Sequence, residues 1–368
     1  VVIVVIALLV LLTVVVVVAK HWTLNEYAIT PGNATPVEPL VHVSGLATRS
    51  HHDQIMLTDV YLEQLNAWEY FTDHFERHVQ FVTGAQLLEP GVPNSELGPQ
   101  GYLEMSDSKS YAEVAALTVL GWKLTPTPIG ALVTSVASPS PAWSAKINVA
   151  DRIVSFDGTA VRSSCDLVSD VHALAPHTAL TLGVEKAHIN KAGVITWSSR
   201  SDVSLHTAAS PGDLGASGCA GVSGANRSWL GVALEDASSY DFPAKVTIDT
   251  NDIGGPSAGL AMTLSIIDEL SRHSLTGGVK IAATGTIDQY GNVGDVGGVA
   301  EKTVAVQRAG AKYFIVPKVE VATARANAAP GLRIIGVTTL GQALRALERL
   351  GGAKPTPITP PRGLSRSA

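Results

Sequence analysis

Asp252-Ile253-Gly254-Gly255-Pro256-Ser257-Ala258-Gly259 is the stretch on which the fold of this chain turns. A strand pattern, Ala244 to Asp249, leads into it, and a helical pattern from Ser257 to Ser271 leads out. Two adjacent glycines let the backbone turn tightly and pass close to another group. Pro256 suits a helix start, where its missing N–H would find no partner anyway. Ser257 thus falls at a helix N-terminus, where unbonded N–H groups and the helix dipole favour negative charge. That place suits a nucleophile with an oxyanion forming beside it, and backbone donors around Gly254 and Gly255 are the expected ones. An ordinary serine near a helix cap reads the same way.

A serine hydroxyl is a weak nucleophile and needs a base. Gly297-Gly298-Val299-Ala300-Glu301-Lys302 ends 45 residues after Ser257. Residues 299–309 read as a helix stopped by Gly310. Its apolar stripe is Val299, Val306 and Ala309, and Lys302 falls on that stripe. An enclosed lysine loses hydration, its pKa drops, and the neutral amine becomes a base. The plainer alternative is a lysine whose stem lies on the stripe while its head reaches water. A Ser-His-Asp triad does not fit, because residues 229–351 hold one histidine, His273, far along the helix from Ser257.

The rest of the chain gives these residues a setting. Its 368 residues suffice for two or three domains, and 46% are apolar. Net charge is −6 with no basic block, which argues against nucleic acid as a partner. Residues 1–19 contain one polar residue, Thr13, and as a helix span roughly 28 Å, about a hydrocarbon core. A transmembrane anchor over 1–20 is expected. A signal peptide ending near Val17-Val18-Ala19 is the alternative, with a long apolar core for that role. Cys165 and Cys219 fit no zinc pattern. They read either as one bridge in an exported chain or as two free core thiols.

Residues 21–117 read as a membrane-proximal mixed region. It holds a turn at Tyr27–Gly32, short strands at Leu40–Val43 and Ile55–Leu62, a helix within 63–81, a Gly/Pro loop over 84–101 and a helix from Ser108 to Leu120. His74 and His78 stand at i, i+4, but with no third ligand nearby they read as a solvated helix face, and no metal is expected. His51-His52-Asp53 reads as a polar turn.

Residues 118–206 are β-rich. Ala131–Val136 is a strand, a short helix starts at Ser138–Ala142, and Asp151–Val161 reads as strand, Asp-Gly turn, strand. A helix over Cys165–Leu174 and a strand over Leu180–Glu185 follow. This order and the residues SPA…ADRIVSFDGTAV resemble a PDZ domain, with Ala150 where a glycine is usual. Such domains bind extended peptides by strand addition. Gly130-Ala131-Leu132-Val133 is the candidate binding loop, and a spacer without ligand is the alternative. Residues 207–228 read as a Gly/Ser linker and 352–368 as a disordered tail.

Residues 229–351 resemble the proteolytic domain of the Lon family of Ser-Lys peptidases. The resemblance rests on GPSAG around Ser257, Leu275–Gly278, Thr284–Ile287, Gly291–Gly294, Gly297–Lys302 and Gly310–Lys312. It implies Ser257 as nucleophile and Lys302 as general base. It also implies, more weakly, a role for Thr284 near the lysine amine; a strand-end threonine reads equally well. Anchor, PDZ and peptidase in this order resemble the membrane-anchored PDZ–Lon proteases. The fold class expected is α+β multidomain: a transmembrane helix, a PDZ-like β-rich domain and a Lon-type α/β proteolytic domain.

The near match to a phosphate-binding loop, Gly298–Thr303, has Glu301 where glycine is required, so no ATP and no cofactor are expected. The implied partners are protein or peptide substrates and a membrane, with a homo-oligomeric ring by resemblance. The family layout puts the PDZ and protease parts on the extracytoplasmic side of a single-pass anchor. A non-catalytic, membrane-tethered PDZ binding protein with a decayed peptidase fold is the competing class.

Overall fold

The computed structural model describes residues 2–50, 55–190, 194–212, 219 and 227–358. The expected turn at His51-His52-Asp53, most of the linker and the end of the tail lie outside the described residues. Helix α1 (Val2–His21) carries the apolar run, and none of its residues is buried. It is long and apolar enough to cross a membrane.

Strand β1 (Thr23–Pro36) follows, then β2 (Val41–Ser44) and β3 (Ile55–Asn66). The turn expected at Tyr27–Gly32 does not form. Both flanks of this segment have ladder partners, and Pro31-Gly32 is absorbed as a bulge between Pro31 and Ala34. In the bulge the Asn33 N–H donates to the Asp59 carboxylate at 2.7 Å. The helix expected within 63–81 shrinks to α2 (Ala67–Asp73). Asn66 ends β3 and caps α2. Its side chain accepts from the N–H groups of Trp68 and Glu69, and Glu69 returns a bond to the Asn66 N–H. Strand β4 (Gln80–Thr83) takes the remainder. Helix α3 (Leu97–Val119) starts inside the expected loop, because a proline is tolerated in a first helical turn.

A second sheet follows from β5 (Thr127–Val136), β6 (Arg152–Phe156), helix α4 (Ser164–Ala173), β7 (Ala179–Glu185), β8 (Ser201–His206) and β9 (Val232–Ser239). Its order is β8-β7-β6-β5-β9, antiparallel throughout. Asp157 and Gly158 both adopt positive φ, 45° and 82°, as a tight hairpin turn requires. Ala150 is held at φ 70°, the left-handed conformation for which a glycine is usual. Val133, Ile153, Leu167 and Leu182 form the core of this sheet and its helix. Cys165, at the start of α4, is bonded to Cys219, so the bridge, rather than two free thiols, is what the fold contains.

The last elements are β10 (Lys245–Ile248), α5 (Gly259–Leu270), β11 (Ile281–Ala283), α6 (Val299–Arg308), β12 (Tyr313–Pro317), β13 (Arg333–Val337) and α7 (Leu340–Arg349). Among the described residues they complete a six-stranded sheet of order β13-β12-β11-β3-β1-β4. Strands β13, β12, β11 and β3 run parallel, and β3, β1 and β4 are antiparallel neighbours. Strand β10 pairs with β2. Every residue of α5 is buried, against α3 on one side and the sheet on another. Leu57, Leu117, Leu260, Ile281 and Ile315 share one core.

Two boundaries expected from the sequence therefore move. Residues 21–117 are not a separate region, since β1, β3 and β4 make half of the sheet that β11–β13 complete. The line drawn at 229 cuts the second sheet, because β9 pairs along β5 from Val232↔Val136 to Ser239↔Thr127.

Candidate active site

Ser257 precedes α5, with Ala258 at the cap position and Gly259 the first helical residue. The helix thus begins two residues later than expected, since the Gly259 N–H already closes a turn on the Pro256 carbonyl at 3.2 Å. Gly255 supplies the turn with φ 83°. The Ser257 carbonyl is fixed from two sides. The Gly285 N–H donates to it at 2.9 Å and the Thr284 hydroxyl at 3.2 Å. Thr284 is fully buried, and its hydroxyl donates to the Ser257 carbonyl, which leaves its oxygen able to accept.

Lys302 lies on α6. Gly298 enters that helix at φ 66°, packed so closely on β3 that an added Cβ would meet the Val60 side chain at 2.9 Å. Gly310, at φ 73°, ends it with bonds from Gly310 N–H to Gln307 and from Ala311 N–H to Val306. The apolar stripe faces inward as its spacing requires. Val299 and Val306 are buried, and Lys302 is only 2% exposed. This is an enclosed lysine, not a snorkelling one. Burial pushes its amine down to about 8, against the opposing pull of the Asp59, Glu320 and Glu301 carboxylates.

Ser257, Lys302, Gly254 and Gly255 line one cavity of about 860 Å³. Among the described residues no hydrogen bond joins the Ser257 and Lys302 side chains. Asp59, on β3, lines the same cavity. Its carboxyl is pushed up by burial, against the Asn33 N–H bond and the Lys302 charge. Sequence reasoning missed Asp59. The one local signal was an acid within the apolar strand Ile55–Leu62.

Of the two glycines expected to supply oxyanion donors, one is already engaged. The Gly255 N–H is occupied, donating to the Gly101 carbonyl of α3 at 2.7 Å, and Gly254 lies against the same backbone. Among the described residues the N–H groups of Gly254, Ser257 and Ala258 have no backbone acceptor, which leaves these three as available donors.

Gly130–Val133 do not form a peptide-binding edge. They sit inside β5, hydrogen-bonded to β6 on one side and β9 on the other, so no strand can add there. Among the described residues the sheet ends at β9, which has one free edge and packs beside α4. Asp236 of β9 accepts from the N–H and hydroxyl of Ser164 at the head of α4, both at 2.7 Å. The signal for this edge was the apolar-glycine step Leu230-Gly231-Val232, which the expected module boundary separated from its sheet. His74 is spent on the Tyr70 carbonyl and stacks on Phe81.

Parts of this chain are similar to known proteins. Residues 246–347 match the family model described as the Lon protease (S16) C-terminal proteolytic domain, and residues 116–192 match that of the PDZ domain. The Lon protease of Ureaplasma parvum serovar 3 is 36% identical over 95 residues, 25% of this chain and 12% of that protein. The Lon protease of Xanthomonas oryzae pv. oryzae is 30% identical over 135 residues, 36% of this chain and 15% of that protein. The chain thus spans a small part of the curated relatives it matches. A solved PDZ domain of an SdrC-like protein from Listeria monocytogenes aligns at 19% identity with a TM-score of 0.22, covering 29% of this chain and 90% of that one. Two shared units, a PDZ domain and the C-terminal proteolytic domain of the Lon proteases, are joined in this chain behind an apolar helix.

Proposed function

We propose that this chain is a membrane-anchored serine endopeptidase that works without ATP, with Ser257 as nucleophile and Lys302 as general base. The observation that carries the reading is the enclosure of Lys302 on the wall of the cavity that Ser257 also lines. A buried amine lowered to about 8 is neutral in an appreciable fraction of molecules near neutral pH, unlike an ordinary lysine. Neutral Lys302 takes the Ser257 proton as the oxygen attacks a peptide carbonyl, giving a tetrahedral oxyanion. The N–H groups of Ser257 and Ala258, at the positive end of α5, stabilise that oxyanion. The protonated amine then donates to the departing peptide nitrogen. Water activated by the same lysine releases the acyl group.

The PDZ domain takes an extended stretch of protein along the free edge of β9 and so presents substrate to the cavity. Helix α1 holds the chain in a membrane as a single-pass span. The Cys165–Cys219 bridge favours an oxidising, extracytoplasmic side for the folded part. A homo-oligomeric ring remains part of the proposal by its likeness to Lon.

The test is intact-mass analysis of the purified chain after exposure to a fluorophosphonate. One adduct on Ser257 is expected, with labelling at pH 7 strongly slowed by Lys302→Ala. An adduct elsewhere, or undiminished labelling of Lys302→Ala, refutes the dyad.

A further inference from the structure

Helix α1 ends at His21, and Trp22 follows it directly with 65% of its surface exposed. The Trp22 carbonyl accepts the Ala67 N–H at 2.9 Å, so the start of α2 is tied to the end of α1. Helix α1 also packs on α2 and β3. Beyond that tie, Trp68, Phe71 and Phe75 form a chain of ring contacts, with centroids 6.3 Å and 5.4 Å apart. Phe71 is 59% exposed and Phe75 76%. Large aromatic rings rarely stand in water as a contiguous group without a partner. Their backs are held, since the Tyr70 and His74 rings of the same stretch pack on Phe81 of β4.

We propose that Trp22, Phe71 and Phe75 form an aromatic foot that seats the folded part on the lipid headgroup layer. The occupant is set by continuity. The foot begins where the apolar helix ends, and aromatic side chains belong at that depth because they combine an apolar body with tolerance of a wet boundary. The proposal rests on the reading of α1 as a membrane span. It adds a second, peripheral contact that a single flexible anchor would not provide. It also fixes the height of the cavity. Strand β3 runs from Asp59 in the cavity wall to Asn66 at the cap of α2, an extended distance of at most about 23 Å. Substrate chain emerging from the same bilayer then needs about seven extended residues to cover that height.

Both native cysteines are in the disulfide, so a nitroxide label goes only to an introduced thiol. The full chain in phosphatidylcholine vesicles is labelled at Phe75→Cys, at Val319→Cys as an exposed control and at Leu9→Cys within α1. Val319 is as exposed as Phe75, at 74%. With position 9 in hydrocarbon, the label at 75 should collide severalfold less with a water-soluble nickel chelate than the label at 319. It should collide more with oxygen. Equal chelate collision at 75 and 319, with position 9 still in hydrocarbon, overturns the foot while leaving the span intact. A water-exposed or cleaved position 9 overturns the span, and the foot falls with it. A second arm uses Phe71→Ser/Phe75→Ser, which alters exposed side chains only. In that variant a nitroxide at Trp68→Cys, beside Phe71, should collide severalfold more with the nickel chelate than the same label does in the parent. Unchanged collision at position 68 also counts against the foot.

Discussion

Lys302 is an expensive residue to keep. With 2% of its surface exposed, its amine has given up nearly all its water, and the nearby Asp59, Glu301 and Glu320 carboxylates compensate only in part. Its folded-state pKa lies near 8, below the ordinary 10.5, so the unfolded chain holds this proton more tightly. The cost is therefore complete below pH 8 and fades as pH rises from about 8 to 10.5. A shift of that size corresponds to a cost on the order of 3 kcal/mol. Lys302→Met should accordingly raise stability at pH 7 by up to that amount in urea unfolding while abolishing turnover. On the proposed mechanism the same titration governs rate. Only the neutral amine accepts a proton, so kcat/KM should climb with pH through about 8 and then level. Asp59→Asn removes a carboxylate that favours the charged amine, and the rising limb should move to lower pH in a pH–rate profile. Of these residues, Ser257 and Lys302 were readable in the sequence, one from its turn and one from its phase on a helix. Asp59 was not, because its approach to Lys302 depends on a strand more than 240 residues away in the chain.

Local signals served well where an element is decided by its own residues. The Gly310 stop of α6, the Asp157-Gly158 hairpin and the helix α4 all stand where their sequences put them. They failed where a segment takes its form from distant partners. Strand β1 swallows a Pro-Gly step because β3 and β4 pair along it. Gly130–Val133 read as a binding loop because β9, which covers them, lies some 100 residues downstream. Ladder partners of this kind leave no trace in a window of ten residues. One consequence concerns the fragment 229–351. Cut out alone, it leaves β11 without β3 and strips α3 from the apolar face of α5. That fragment should show no cooperative thermal transition by circular dichroism, whereas residues 23–358 should show one. A cooperative transition in 229–351 would mean that the shared sheet contributes little.

At the scale of the molecule, helix α3 joins the parts. It packs on α5, presents the Gly101 carbonyl to the Gly255 N–H and leads into β5 of the PDZ sheet. Anything that shifts the PDZ domain thus has a direct route to the turn that holds Ser257. The apolar helix, by contrast, meets the folded part through α2 and β3, on the strand that carries Asp59. The PDZ domain and the apolar helix therefore reach the cavity from different elements. The central claim is that Ser257 and Lys302 together cut peptide bonds without a nucleotide. The most direct measurement is hydrolysis of an unfolded, fluorescently quenched protein by the purified full chain in vesicles with no ATP. Wild type should cleave, and Ser257→Ala and Lys302→Ala should each lose at least ~100-fold in rate while keeping native circular dichroism. Cleavage that persists in either variant, or that appears only when ATP is added, would contradict the account.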